Sequence, residues 1–195
     1  IISVRSEVGS YLPLWRAGSD YKKSVSAKKE LGGGVLLELS HDINYLIWIF
    51  GKVKWVSSIV TKQSNLKINT EDTAFVVLGF SSKGTKKDTM VSLNMDFTRH
   101  DSTRYCKVIG EFGTLYWNAI DGSIKVFYEG ATRWETLFKK KIKRDDTYVD
   151  QLKHFIDCIE NKKDPISNGE DGLETIKVIE AIKKSSNSSS KISLI

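Results

Sequence analysis

Glu38, His41 and Asp42, with Asn44 and Tyr45 just beyond, bring two carboxylates, an imidazole, an amide and a phenol into one short stretch. An imidazole titrates near neutrality and can take or give a proton, and a carboxylate beside it orients the ring and favours its charged form. Residues three apart on a helix touch, so Glu38 and His41 would pair if this stretch is helical. The chemistry on offer is general acid–base work on a small molecule. A Glu/His pair also serves as a plain buried hydrogen bond, and that reading stands beside the chemical one.

The element that must carry these groups runs from Leu31 to Gly51. Its spacing predicts a helix with Leu36, Leu39, Ile43, Leu46, Ile47 and Phe50 on one apolar stripe and Glu38, His41, Asp42, Tyr45 and Trp48 roughly opposite. The stretch contains no Lys or Arg, so the expectation is a helix covered on both faces. Gly32, Gly33 and Gly34 precede it, and glycines there let a backbone or an anion approach the first turn. They are not a dinucleotide fingerprint, because the third glycine of that pattern would fall at Leu37.

Around this helix the chain changes period. Residues 1–8 alternate as a strand, and 9–29 read as a long connection in which Tyr11, Trp15, Arg16, Tyr21 and Lys22 combine aromatic faces with cations. That combination suits a sugar ring bearing a negative group, and equally suits a loop pinned to the core. Strands are predicted at Val53 to Thr61, Thr73 to Phe80, Thr89 to Phe97, Tyr105 to Gly110, Gly113 to Asn118, Ser123 to Glu129 and Trp134 to Phe138. Turn chemistry at Ser81 to Gly84 and at Asp121-Gly122 makes consecutive strands antiparallel neighbours. Two amphipathic helices come next, Thr147 to Glu160 and one entered through a capping pattern at Ser167 to Glu170. The run Ser185 to Ser190 reads as a flexible linker, and Lys191 to Leu194 as a possible returning edge strand. The fold class is therefore α+β, a large, mainly antiparallel open sheet with helices packed on one face.

The bulk properties narrow the function classes. No apolar run reaches the roughly 20 residues of a membrane helix, so a membrane span is not expected. Cys106 and Cys158 match no disulfide framework or metal spacing and read as reduced thiols suited to the cytoplasm. The net charge of +6 owes much to one block at Lys139 to Arg144, without a stripe of stacking aromatics, so no nucleic-acid partner is expected. His154 reads as solvated beside Lys153 and Asp157. His100, between Arg99 and Asp101 and near Arg104, would either reach a substrate anion or decorate a hairpin. Glu38, His41, Asp42 and His100 are metal-ligand types without a zinc motif, and no metal is expected. The chain starts inside an alternating run with neither initiator Met nor leader, and the expectation is a piece of something longer.

The run Gly-Gly-Gly-Val-Leu-Leu-Glu-Leu-Ser-His-Asp-Ile-Asn from Gly32 to Asn44 resembles the central motif of the glucose-fructose oxidoreductase / inositol dehydrogenase / MocA family, roughly G-G-G-x-L-x-D-x-G-x-H-x-x-D. Glu38 stands at the family's Asp, Ser40 at its Gly and Asn44 at its last Asp. With one residue missing before the histidine, His41 fills the family position; without that gap, Asp42 does. Tyr11 to Arg16, Asp20-Tyr21 and Ile109 to Trp117 also resemble segments of members that act on sugars, including those of surface polysaccharides, so the likeness covers nearly the whole chain.

The resemblance implies a single C-terminal substrate and oligomerisation domain over residues 1–195, resembling the C-terminal domain of dihydrodipicolinate reductase, with the N-terminal Rossmann domain absent from this chain. It implies an oxidoreductase passing a hydride between NAD or NADP, bound mainly by that other domain, and a secondary alcohol or ketone of a sugar or nucleotide-sugar. His41 is then the proton carrier, Glu38 its orienting partner, and Tyr11, Trp15, Arg16, Asp42, Asn44 and Tyr45 the substrate contacts. The family's catalytic Lys lies in the absent half, so this chain alone is expected to be inactive. The resemblance further implies a homodimer or tetramer formed through the sheet. The competing reading of another class is a non-catalytic dimerisation or ligand-binding module of the same fold.

Overall fold

A computed structural model describes residues 1–81, 87–141 and 143–194. Strand β1 (Ser3–Gly9) opens the chain, and the connection after it is not a bare loop but a string of 3₁₀ turns at Leu12–Leu14, Tyr21–Lys23, Val25–Ala27 and Lys29–Leu31. Two helices, α1 (Val35–Glu38) and α2 (Ser40–Phe50), lead to β2 (Val53–Thr61). Strands β3 (Thr73–Phe80), β4 (Thr89–Asp96), β5 (Thr103–Gly110), β6 (Gly113–Asn118), β7 (Ser123–Tyr128) and β8 (Glu135–Lys139) come after it. Helices α3 (Arg144–Asn161) and α4 (Gly169–Ser188) and the short β9 (Ile192–Ser193) end it.

The strands form one sheet in the order β8-β7-β6-β5-β1-β4-β3-β2-β9. The α+β expectation holds, with one topological correction. β4 and β5 are consecutive but not neighbours, because β1 lies between them, parallel to β4 and antiparallel to β5. Local alternation says that a segment is a strand but not which strand it pairs with, so short connections alone could not reveal the insertion. The Ser81 to Gly84 turn falls largely outside the described residues.

Alternation sorts the two faces. Val4, Val8, Val56, Ala74, Val76, Leu78, Val91, Leu93 and Met95 point to one side and are buried against α1, α2 and α4. Ile59, Phe75, Val77 and Met90 point to the other and are exposed. Helix α4 lies on β2 through Val178, Ile179, Ala181 and Ile182, and α2 packs against α4. Its N-cap is Asn168, which accepts from the Glu170 and Asp171 N–H groups while Asp171 accepts from Asn168 N–H, a residue further on than the sequence pattern placed it.

The serine run is no linker. Helix α4 continues to Ser188, and Ser185 and Ser186 accept the Ser58 and Val60 N–H groups of β2 at 3.1 and 2.8 Å. Beyond its short pairing with β9, β2 has a free edge, and the serine hydroxyls satisfy backbone groups that would otherwise be open to another strand. Composition pointed to flexibility; the hydroxyl positions gave the run a bonded place. His154 is likewise not simply solvated: its Nε2 accepts from Ile166 N–H at 3.0 Å, with Cys158 Sγ 3.5 Å away.

Candidate functional site

The helix expected over 31–51 is two helices with a break at Leu39, whose φ of −104° and ψ of 19° leave the α region. Leu36, Leu39, Ile43 and Leu46 still enter the core, but the break re-aims the side chains of α2. Asp42, expected on the outward face, is fully buried. His41 is half-exposed, and Trp48 and Ile49 are exposed, so the outer face of α2 is not covered by the described residues.

The triple glycine has a specific occupant. Gly34 has a φ of 109°, and a Cβ there would run into the Glu71 carboxylate. Glu71 Oε1 accepts from Leu36 N–H at 3.4 Å, and Glu71 O accepts from Val35 N–H at 3.2 Å. The positive end of α1 is thus already met by an anion of the protein itself, from a residue far along the chain. Gly33 lies against the backbone of Val25 and Ser26, where a side chain has no room.

Asp42 is the junction of the site. Arg104 Nε donates to its Oδ1 at 3.3 Å, and His41 Nε2 lies 3.1 Å from Oδ2 without the alignment of a hydrogen bond. Arg104 sits on β5, on the same sheet face as Trp117 of β6, and its guanidinium carbon is 5.7 Å from the centre of the Trp117 ring. Tyr45, one turn beyond Asp42, meets Trp117 edge-on at 5.3 Å and bonds through its hydroxyl to Ser6 Oγ at 2.6 Å. Burial drives the Tyr45 phenol far above its ordinary range, and burial pushes the Cys106 thiol up to about 11, with the Asp42 charge adding to both. Both groups are therefore neutral around Asp42 over the working range.

Among the expected site residues, His41, Asp42 and Tyr45 come together. Glu38 makes no hydrogen bond or ion pair with His41 among the described residues; the break at Leu39 puts the two on different helices. Asn44 donates to Thr175 Oγ1 at 3.0 Å and fastens α2 to α4. Tyr11 packs against His100 with the rings tilted and their centres 4.3 Å apart, while Trp15 donates to Ser10 O and meets Phe97 edge-on. Arg16 is exposed, and no bond or ring contact joins the Tyr11 to Arg16 segment to His41 among the described residues. A cleft lined by Asn44, Tyr45, Ile47, Trp48, Ile166 and Asp171 opens between α2 and the start of α4.

The cationic cluster expected around His100 is divided. Arg104 turns to the helix side, whereas Arg99 bonds to Glu7 and Asp101, and Tyr105 donates to Glu7 at 2.8 Å. Adjacent strand residues face opposite sides, so neighbours in sequence serve different surfaces. The Arg104–Asp42 pair, the main addition to the expected site, spans 62 positions and no local spacing signals it. No set of three His, Cys, Asp or Glu side chains converges as a metal site among the described residues. No helix among them is long and apolar enough to cross a membrane.

Solved structures share this architecture. Aldose-aldose oxidoreductase from Caulobacter crescentus, complexed with glycerol, superposes with a TM-score of 0.80 at 20% identity, over 99% of this chain and 55% of that one. Levoglucosan dehydrogenase in complex with NADH gives 0.85 at 16% identity, over 100% and 58%. The WlbA dehydrogenase from Bordetella pertussis, in complex with NADH and UDP-GlcNAcA, gives 0.72 at 20% identity, over 100% and 56%. The chain spans less than two thirds of the length of these proteins. No curated protein matches it. Residues 7–194 match the family described as "Oxidoreductase family, C-terminal alpha/beta domain", and the chain belongs to that family, the glucose-fructose oxidoreductase / inositol dehydrogenase / MocA oxidoreductases.

Proposed function

We propose that this chain is the substrate-binding half of an oxidoreductase that moves a hydride between NAD or NADP and a secondary alcohol or ketone of a sugar or nucleotide-sugar. The observation that carries the reading is a half-exposed imidazole backed by a wholly buried, Arg-paired carboxylate on the family's central motif. NADH complexes of structural neighbours support the cofactor class, and the UDP-GlcNAcA complex supports the substrate class.

This chain does not fit the cofactor's pyrophosphate by itself. The glycine-rich terminus of α1 is filled by the Glu71 carboxylate, which would repel a phosphate. The nicotinamide is assigned to a further domain, and the contribution proposed here is proton handling. His41 takes the proton of the substrate hydroxyl as it is oxidised, or returns it on reduction. Tyr11, Trp15 and Arg16 are the proposed sugar contacts, and Glu38, on α1 just before the break, is the proposed second catalytic carboxylate. Asp42, Asn44 and Tyr45 act from behind by holding α2 and the ring.

Helix α3 supports a missing half. Tyr148, Leu152, Phe155 and Ile159 are each exposed on it, an apolar stripe that a further domain would cover. The open sheet face, with Ile59, Phe75 and Val77 exposed, is the proposed dimer or tetramer surface. Sedimentation velocity checks this: Phe75→Lys should shift the assembled protein to monomer. Two unpaired, buried cysteines support a cytoplasmic location.

The test of function joins the native upstream half to this chain and monitors nicotinamide reduction over a panel of sugars and nucleotide-sugars. His41→Ala should lower kcat by about 10² to 10⁴ fold. An unimpaired His41→Ala enzyme discards the assignment. Loss confined to Asp42→Ala transfers the proton role to Asp42. The chain without its upstream half should show no turnover.

A further inference from the structure

Resting on that functional reading, we propose that Arg104 is a positioning residue: by holding Asp42 through Oδ1, it leaves Oδ2 to fix which nitrogen of His41 carries the proton and which is free to take one.

Asp42 is a charge taken out of water. Its side chain is 0% exposed, and burying a charge is costly unless an opposite charge lies beside it. Arg104 supplies that cation at 3.3 Å from Oδ1 and is itself held over the Trp117 ring. Arginine suits the place because its charge persists at every relevant pH and its Nε–H has a fixed direction.

The second oxygen is different. Oδ2 is buried without a hydrogen-bond partner, and His41 Nε2 lies 3.1 Å from it. An unsatisfied buried acceptor is costly, so the ring gains by turning an Nε2–H toward it. A neutral imidazole carries one proton; with that proton on Nε2, Nδ1 keeps its lone pair. On a side chain that is 51% exposed, Nδ1 is the nitrogen left for a substrate hydroxyl.

The other titratable groups at this place are Tyr45 on α2, Cys106 on β5 and Glu38 on α1. The first two are held neutral by burial, and Glu38 makes no bond to the ring. The charges that act on His41 are those of Asp42 and Arg104.

The experiment is imidazole NMR on the native polypeptide that carries this chain, whose three histidines in this region are distinguished by single substitution. Nitrogen shifts should show the neutral His41 ring protonated on Nε2. In Asp42→Asn and in Arg104→Gln the Nε2 preference should be lost, the neutral ring becoming a mixture of its two forms. Arg104→Lys, which keeps the charge, should restore most of that preference. Circular dichroism checks that each variant keeps its fold. An Nε2 preference unchanged in folded Arg104→Gln, or a wild-type ring protonated on Nδ1, overturns the inference. The tautomer is read on the unaltered protein and decides the matter even where a variant does not fold. Turnover of His41→Ala judges the functional reading separately, because these NMR outcomes do not depend on activity.

Discussion

The sheet has a dressed half and a bare half. Around β1, β4, β3 and β2, the inner face carries side chains that are almost wholly enclosed, such as Val91, Leu93, Leu78 and Phe80, under α1, α2 and α4. At the other end, every residue of β8 is exposed, and α3, which follows it in the chain, presents Tyr148, Leu152, Phe155, Ile156 and Ile159 to solvent. The difference is not one of composition, because both halves are rich in apolar and aromatic residues. It lies in whether an apolar face finds a covering element within this chain. The candidate site falls at the seam: Asp42 belongs to the enclosed half, and Arg104 and Trp117 come from strands that lead into the bare one.

Substitutions in the two halves should therefore differ sharply. Ile182→Ala, in a fully buried position on α4, should destabilise by about 4 kcal/mol in urea unfolding through lost burial and the cavity left behind. A cost near zero there would erase the contrast. Gly34→Ala should cost about 2 kcal/mol, since its positive φ and the Glu71 carboxylate both oppose a Cβ. Pairing it with Glu71→Ala should recover part of that loss if the carboxylate is the obstacle.

Asp72→Asn sharpens the comparison through pH. Burial alone would raise this carboxyl, but hydrogen bonds donated by Ser64, Gln63 and Thr73 outweigh it and hold the group below its ordinary value. A carboxyl lowered by folding stabilises the native state above its unfolded value and loses that contribution as pH falls through its folded value. Asp72→Asn should thus cost about 1.5 kcal/mol near neutrality and progressively less in acid, as measured by urea midpoints across pH. Phe155→Ser on α3 should have the smallest effect, within about 0.5 kcal/mol in this chain. Its cost should grow when the proposed upstream half is present, and an unchanged cost would mean that no domain rests on that helix.

Much of this architecture was legible because it depends on local period. Thr73 to Phe80 and Gly113 to Asn118 are rich in β-branched and aromatic residues and lead into turn residues, and both strands have those bounds. The apolar stripe Leu36, Leu39, Ile43, Leu46 was readable for the same reason. What escaped is what local period does not encode. The interruption at Leu39 changes no residue type, yet it carries Asp42 inward and separates Glu38 from His41. The carboxylate that meets the glycine run comes from Glu71, and the cation that meets Asp42 from Arg104, both distant in sequence. His41 itself was legible from the motif, whereas its buried neighbour's partner required the pairing of β1 with β5 and the placement of α2 over them.

The placement of β1 bears on how the molecule is made. Ser3–Gly9 emerges from the ribosome ahead of every other strand of this chain, yet its two neighbours, β4 and β5, are complete only once Gly110 has been synthesised. Closing so long a loop is entropically slow, and the antiparallel pair β2–β3 is available well before it. During translation β1 must wait for both of its native partners, a nascent-chain hazard.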